Sequence, residues 1–330
     1  MFELISGPRR IAIPHDDGEV RIPALGVRDG QVVCFYDVRP APAGGNGRAF
    51  TGEVMASDLP NPNYLAYVVL GCELTPERFV QTPAISSDAA VASNEEQITV
   101  AYSSVDGEVS YMSSTFAGSH LVPWIGFART DEEFTHRRLD VLYDETQADG
   151  LFATSGSTIM FGEHALVPYV VRRGDQAHVR VVHIRNGEYV RMSAPIASPN
   201  IQIDETSLAL DDNNRIILNA RVQGFEGRGA GGRLVAVSTD GLEFSPLEYR
   251  GMSDPGCNAK ALGNLLIHPH SLTAREAGAI VDMTSGEVVY RFDDGEFGYS
   301  DAIWHDNQLI VVAERNNELW QWTLTLSRSV

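Results

Sequence analysis

The sequence puts a permanent positive charge where a fold must answer it. Arg21 stands inside the apolar, strand-like run Val20-Arg21-Ile22-Pro23-Ala24-Leu25. A buried guanidinium is costly without an anionic partner. Either the chain or a ligand must therefore supply the anion. Taken alone, Arg21 also fits an edge strand with its head in water. Two further patterns offer chemistry. His268-Pro269-His270 presents two imidazoles to a metal, but no third ligand accompanies them, and a structural loop pair is the ordinary reading. Gly227, Gly229 and Gly232 fit the letters of a dinucleotide-binding loop. They lead into the strand-like run from Leu234 to Val237 instead of a helix, so that reading fails on context.

Composition narrows the field in which such residues can act. A length of 330 residues exceeds the usual single domain, yet a closed all-β architecture holds it in one unit. The formal net charge of −19 argues against nucleic acid or an anionic membrane as partner. It also repels small anions at long range, so any anion site must be locally basic and enclosed. Cys34, Cys72 and Cys257 show neither pairing nor metal spacing and read as reduced thiols. Met1 to Pro8 lacks a basic start before an apolar run, and the apolar run from Tyr64 to Leu70 is too short to cross a bilayer. The expectation is a cytoplasmic protein, unless a leader was removed or export takes another route.

Short β-branched runs dominate the chain and must position any site. Among them are Gln31 to Tyr36, Tyr67 to Leu70, Gln97 to Tyr102, Leu166 to Val171, His178 to Ile184, Arg215 to Asn219, Arg233 to Val237 and Gln308 to Ala313. Helical periodicity is nearly absent, with one short candidate from Asp140 to Asp149. Turn pairs recur at Asp106-Gly107, Asn186-Gly187, Asp240-Gly241, Ser285-Gly286 and Asp294-Gly295. The stretches Ser104 to Tyr111 and Ser238 to Phe244 look alike, each with a hydroxyl, an Asp two residues on, a Gly and an aromatic. Thr130 to Phe134 is a worn third copy; single copies read as ordinary turns. Even spacing and repetition suggest an all-β propeller. No linker interrupts it: Pro40 to Gly47 and Gly227 to Gly232 read as long loops within one domain spanning 1–330.

With Arg21-Ile22-Pro23 at one end and Glu314 at the other, the chain resembles the bacterial exo-α-sialidases (neuraminidases), glycoside hydrolases built as six-bladed β-propellers. The repeated turns resemble that family's Asp-boxes in degenerate form. The resemblance implies a role for each matching residue. Arg21 is similar to the first of three arginines that grip the sugar carboxylate. Arg221, in Leu218-Asn219-Ala220-Arg221, resembles the second, and Arg275, in Thr273-Ala274-Arg275-Glu276, the third. Arg39 resembles the arginine beside the sugar's 4-position, and Asp88, in Ser87-Asp88, a pocket-lining acid. Asp58, before Leu59-Pro60-Asn61-Pro62-Asn63, resembles the acid/base. Tyr299, in Gly298-Tyr299-Ser300-Asp301, resembles the nucleophile, and Glu205, in Ile203-Asp204-Glu205-Thr206, the base that activates it. Glu314 matches the glutamate that holds the first arginine. No metal or organic cofactor is implied, and the partner is a sialylated glycan.

The chemistry explains the set. A sialic acid carries a carboxylate on its anomeric carbon, and planar guanidinium forks match it better than lysine does. The same carboxylate would repel a carboxylate nucleophile, whereas a tyrosine is neutral at rest. Singly, each residue has an ordinary reading: an axial aromatic for Tyr299, solvated loop acids for Asp58 and Glu205, and surface arginines for Arg221 and Arg275. The joint occurrence, in the family's order, favours a retaining exo-α-sialidase. Transfer to an acceptor, a related nonulosonic acid as substrate, or a sugar-binding propeller without turnover are the alternatives.

Overall fold

A computed structural model describes residues 2–15, 17–42, 50–51, 54–71, 73–83, 85–130, 132–155, 158–223 and 231–327. Cys72, Asp131 and most of the two expected long loops, 43–47 and 227–230, lie outside the described residues. Strands fill six small antiparallel sheets arranged as the blades of a β-propeller. One helix of 6 residues, Val141–Thr146, falls within the single helical candidate of the sequence.

Blade one is Glu19–Arg28, Gln31–Arg39, Tyr64–Leu70 and Arg78–Phe79, from the axis outward. Blade two begins at Ser87–Ser93, blade three at Gly150–Ala153, blade four at Gln202–Leu210 and blade five at Lys260–Leu262. Blade six takes Ser300–His305, Gln308–Arg315 and Glu318–Leu326, and its outer strand is Phe2–Ala12 from the other end of the chain. That pairing runs from Phe2 opposite Leu326 to Ala12 opposite Leu319 and closes the ring. Phe2–Ala12 is exposed along most of its length and contains Gly7 and Pro8. It therefore lacks the alternation that marks a strand in sequence, as an edge strand can.

Tight turns space the strands. Asp29-Gly30, Asn186-Gly187, Asp306-Asn307 and Asn316-Asn317 each join neighbouring strands with two residues at φ between 49° and 74°. Asp, Asn and Gly tolerate this left-handed geometry, which matches the strand twist. Asp106-Gly107 instead opens a longer connection between Gln97–Val105 and Leu121–Arg129, and Asp294-Gly295 lies in the link into blade six. The two look-alike stretches also occupy different places. Ser238 to Phe244 turns between the third and fourth strands of blade four, where Asp240 accepts from the N–H groups of Leu242 (2.8 Å) and Glu243 (3.2 Å). Ser104 to Tyr111 lies between the second and third strands of blade two, and the Ser104 hydroxyl has no partner among the described residues. The likeness of the letters does not extend to their place in the blades.

The core lies between blades. Val33, Phe35 and Leu65 of blade one meet Ala89, Val91 and Val100 of blade two. Leu166, Val170 and Val181 of blade three meet Leu208, Leu218 and Leu234 of blade four. Each fully buried aliphatic side chain contributes roughly 1.5–3 kcal/mol. Near the axis the wedge narrows, and a Cβ on Gly26 would stand 2.7 Å from Val91 Cγ1. Also at the axis, Asp301 pairs with Lys260 Nζ at 2.9 Å and accepts from the Leu25 N–H at 2.6 Å. One buried carboxylate thus ties blades five, six and one. Asp301→Ala removes the anion and leaves a buried ammonium behind. A stability loss of about 3–5 kcal/mol is expected in urea unfolding; a loss under about 1 kcal/mol would show that this bridge does not hold the ring.

Candidate active site

Irregular backbone turns the inner strands toward one end of the axis. Register breaks between Arg21 and Ala24, between Ser87 and Ala90, and between Ile203 and Thr206. Bulges of this kind re-aim side chains. Ile22 sits at φ 59° and Asp88 at φ 64°. For a β-branched residue preceding proline this is a strained conformation, costing about 1–3 kcal/mol. Ile22 is held there by burial against Cys257 and Tyr299.

Inner strands begin where second strands end, so both sets of ends meet at the same face. Arg39 ends Gln31–Arg39, Arg221 lies late in Ile216–Gln223, and Glu314 lies late in Gln308–Arg315. Tyr299 directly precedes Ser300–His305, while Asp58 and Arg275 lie in connections that start from second strands. The nine residues singled out in the sequence thus all come to this face, from blades one, two, four, five and six.

Two groupings share it. In the first, Tyr299 donates its phenolic hydrogen to Glu205 Oε1. Arg221 Nη1 reaches Glu205 Oε2 at 2.6 Å and the Tyr299 oxygen at 3.3 Å. The guanidinium carbons of Arg21 and Arg275 lie 5.2 and 4.9 Å from the Tyr299 ring centre. Glu314 accepts from Arg21 Nε (3.1 Å), Arg21 Nη2 (3.4 Å) and the Ile22 N–H (2.9 Å). Arg275 makes no side-chain hydrogen bond or ion pair among the described residues. Arg21 does stand on an edge strand of its sheet, the one nearest the axis, but it is buried there and its head is not in water.

The second grouping centres on Arg39, which meets Asp58 at 2.5 Å, Asp37 at 2.8 Å and Asp88 at 3.5 Å. Asp37 accepts from the Ser87 hydroxyl and from the Asp88 N–H at 3.0 Å. The Asp58 side chain is 42% exposed, while that of Arg39 is 1% exposed. A buried guanidinium therefore holds an accessible carboxylate.

The electrostatics follow from burial. Burial, with Glu205 beside it, pushes the Tyr299 phenol well above its ordinary pKa, and the opposing pull of Arg221 and Arg275 does not undo this. Its resting state is the neutral phenol. Burial also pushes the Glu314 carboxyl up, but Arg21, Arg275 and the Ile22 N–H outweigh it and hold it below the usual range. Burial lifts Asp204 to about 6, against Arg221 and with help from Glu205.

Some participants carried no assigned role in the sequence reading. Asp37 shares a strand face with Arg39 two residues on, so alternation gave a usable signal. Asp204 had none, since strict alternation sets adjacent residues on opposite faces. Cys257, under Tyr299, looked like any apolar cysteine. His268 is buried with Nδ1 3.3 Å from Asp254, which pairs with buried Arg233. Among the described residues no cluster of three or more metal-ligating side chains occurs.

No protein-family model and no curated protein matches the sequence. Solved structures do match in fold. A Trypanosoma rangeli sialidase in complex with 2,3-difluorosialic acid, described as a covalent intermediate, superposes with TM-score 0.67 at 15% identity, over 98% of this chain and 59% of that one. A Hadza microbial sialidase gives TM-score 0.70 at 16% identity, over 93% of this chain and 65% of that one. A Dyadobacter fermentans protein of unknown function gives 0.70 at 16%, over 99% of both chains. The chain thus spans about three-fifths of the T. rangeli chain, and its fold is the sialidase-like six-bladed propeller.

Glu314→Gln keeps the shape of the clamp on Arg21 but removes its charge. At neutral pH it is expected to cost about 3 kcal/mol or more in urea unfolding. Glu314 has a depressed folded pKa, so its contribution exists above the unfolded value of about 4.3 and is lost as pH falls through the lower folded value. The gap between wild type and variant should close in acid; a gap independent of pH would contradict the clamp.

Proposed function

We propose that the protein is a retaining exo-α-sialidase that releases terminal sialic acids through a glycosyl-tyrosine intermediate. The observation that carries this reading is a neutral, buried phenol bonded to a carboxylate and surrounded by three guanidiniums, one of them without a carboxylate of its own. Arg275, Arg21 and Arg221 receive the substrate carboxylate beside the anomeric carbon, and Arg275 has the most open hydrogen-bonding capacity. The fold shared with sialidases supports the reading, as does the T. rangeli sialidase described as a covalent intermediate with 2,3-difluorosialic acid.

In the proposed reaction the Tyr299 oxygen attacks the anomeric carbon while its proton passes to Glu205. Concerted transfer avoids a free tyrosinate, which burial disfavours. Asp58 protonates the departing glycosidic oxygen, and that bond breaks as the tyrosyl bond forms. A water then enters, gives its proton to Asp58 and attacks the same carbon from the opposite side. Tyr299 leaves and recovers its proton from Glu205. Two inversions give net retention. Arg39 holds Asp58 in place and, with Asp88, faces the 4-position of the sugar. An acceptor hydroxyl can replace water in the second step, so transfer uses the same residues.

The test is fluorophore release from an aryl α-sialoside. Tyr299→Phe deletes one oxygen and should lower kcat by about 1,000-fold or more, with the α-anomer appearing first in proton NMR for the wild type. Arg275→Ala should raise KM by at least about tenfold, the loss of one charge-assisted contact. A folded wild type that binds an unsaturated sialic-acid analogue but releases nothing would be a binding propeller. One that neither binds nor releases overturns the reading.

A further inference from the structure

A buried cation stands one strand outside the site. Arg233 lies opposite Arg221 in the blade four ladder, so the two side chains share a face, and Asn219 joins them two residues before Arg221. The Arg233 side chain is 0% exposed. Its Nε donates to Asn219 Oδ1 at 2.8 Å, and its Nη1 donates to the Cys257 carbonyl at 2.7 Å. Asp254 Oδ2 stands 3.4 Å from the same Nη1. Asp254 in turn accepts from the Gly256 N–H at 2.7 Å and lies 3.3 Å from His268 of blade five. His268 Nε2 is 3.5 Å from His270 Nδ1, at the root of the connection that carries Arg275. The His268-Pro269-His270 motif thus belongs to this network. Stability alone does not account for the guanidinium. Burial lowers its pKa, and Asp254 does not undo this. Its Nη2 is buried with no hydrogen-bond partner among the described residues. An apolar side chain of similar volume would fill the same space without that cost.

We propose that Arg233 is a positioning residue for Tyr299, acting through the Cys257 carbonyl and Asn219. One rigid fork spans the two supports of the phenol. Cys257 packs with Ile22 against Tyr299 and forms the bed of the ring. Asn219 fixes the strand from which Arg221 Nη1 reaches Glu205 and the phenolic oxygen. A planar guanidinium sets the distance between these supports, which the point charge of a lysine does not. The oxygen must meet Glu205 and the anomeric carbon together, and a displacement of about 1 Å from such a geometry can cost about 100-fold in rate. Arg233 itself touches neither the reacting atoms nor the three guanidiniums' ligand. The assignment rests on the sialidase reading and deepens it by naming what holds the nucleophile in place.

The experiment follows covalent labelling of Tyr299 by 2,3-difluorosialic acid, the compound of the T. rangeli covalent complex, by mass spectrometry of the intact protein. Binding of an unsaturated sialic-acid analogue is measured alongside, because it reports the carboxylate grip without the nucleophile's attack. Arg233→Lys keeps a charge beside Asp254 and loses the fork. It should slow labelling at least about tenfold while the Kd of the analogue changes less than about threefold. Asn219→Leu removes one arm of the support and should slow labelling likewise, so it reports even where Arg233→Lys folds poorly. Asn219→Asp returns an acceptor oxygen and should recover labelling to within about threefold of wild type. A merely structural role lowers the unfolding midpoint and leaves the labelling rate of folded protein unchanged. That outcome, an equal loss of analogue binding, or equal slowing in Asn219→Asp and Asn219→Leu overturns the positioning role and leaves the sialidase reading standing. A folded wild type that is not labelled overturns both.

Discussion

The ion pair between Glu314 and Arg21 joins ring closure to site assembly. Arg21 lies on the inner strand of blade one and Glu314 on the second strand of blade six, so the pair joins blade one to the blade in which the two ends of the chain pair. The fork of Arg21 is fixed by two oxygens of one carboxylate, and the Ile22 N–H is satisfied by the same group. A guanidinium this buried has few alternative rotamers and no solvent to retreat into. The clamp also explains why the strained backbone at Ile22 persists. The strain is offset locally by a charge-assisted bond and by burial against Cys257 and Tyr299.

The same low-dielectric face must hold opposite demands. The chain is strongly acidic, yet the face concentrates Arg21, Arg39, Arg221 and Arg275. Three of these have a carboxylate within ion-pair distance, namely Glu314, the Asp37/Asp58 pair and Glu205. Each such pair turns a repulsive cluster of cations into an array with fixed orientation. Arg275 is different: it stacks on Tyr299 and forms no ion pair among the described residues, although Glu314 is near enough to feel its charge. Immediately around Tyr299, three guanidiniums stand against the two carboxylates Glu205 and Glu314, and that local surplus attracts an anion that the surface of the molecule would repel. The neutrality of Tyr299 belongs to the same balance, because a third carboxylate in its place would cancel that excess.

Legibility in the sequence divides along the same line. Runs such as Gln31–Arg39 and Gln308–Arg315 were visible because burial on both faces makes them β-branched and continuous. The short turn pairs were visible because left-handed backbone calls for Asp, Asn or Gly. Phe2–Ala12 was not, since an outer strand with mostly exposed side chains carries no periodic signal. The repeated Ser-x-Asp-Gly letters misled, because letters do not say which two strands a turn joins. At the site, the nine residues named from motif order lie at one face, whereas Asp37 and Cys257 went unassigned and Asp204 was hidden by a bulge that breaks alternation. Convergence of blades cannot be read from local pattern: Tyr299 and Glu205 touch, yet they are far apart in sequence and belong to different blades.

The bulges explain why those two kinds of error coincide. A regular inner strand points alternate side chains into the two neighbouring blade interfaces and none along the axis. Chemistry at the end of a propeller therefore requires departures from regularity, and the departures occur at Arg21, Asp88 and Glu205. Each departure removes ladder hydrogen bonds and exposes backbone that something must satisfy. Here site carboxylates do so: Asp37 takes the Asp88 N–H and Glu314 takes the Ile22 N–H. Acids that repair the backbone are thereby the same acids that orient Arg39 and Arg21. The irregular backbone and the charged site support each other, so neither is stable in its observed form alone.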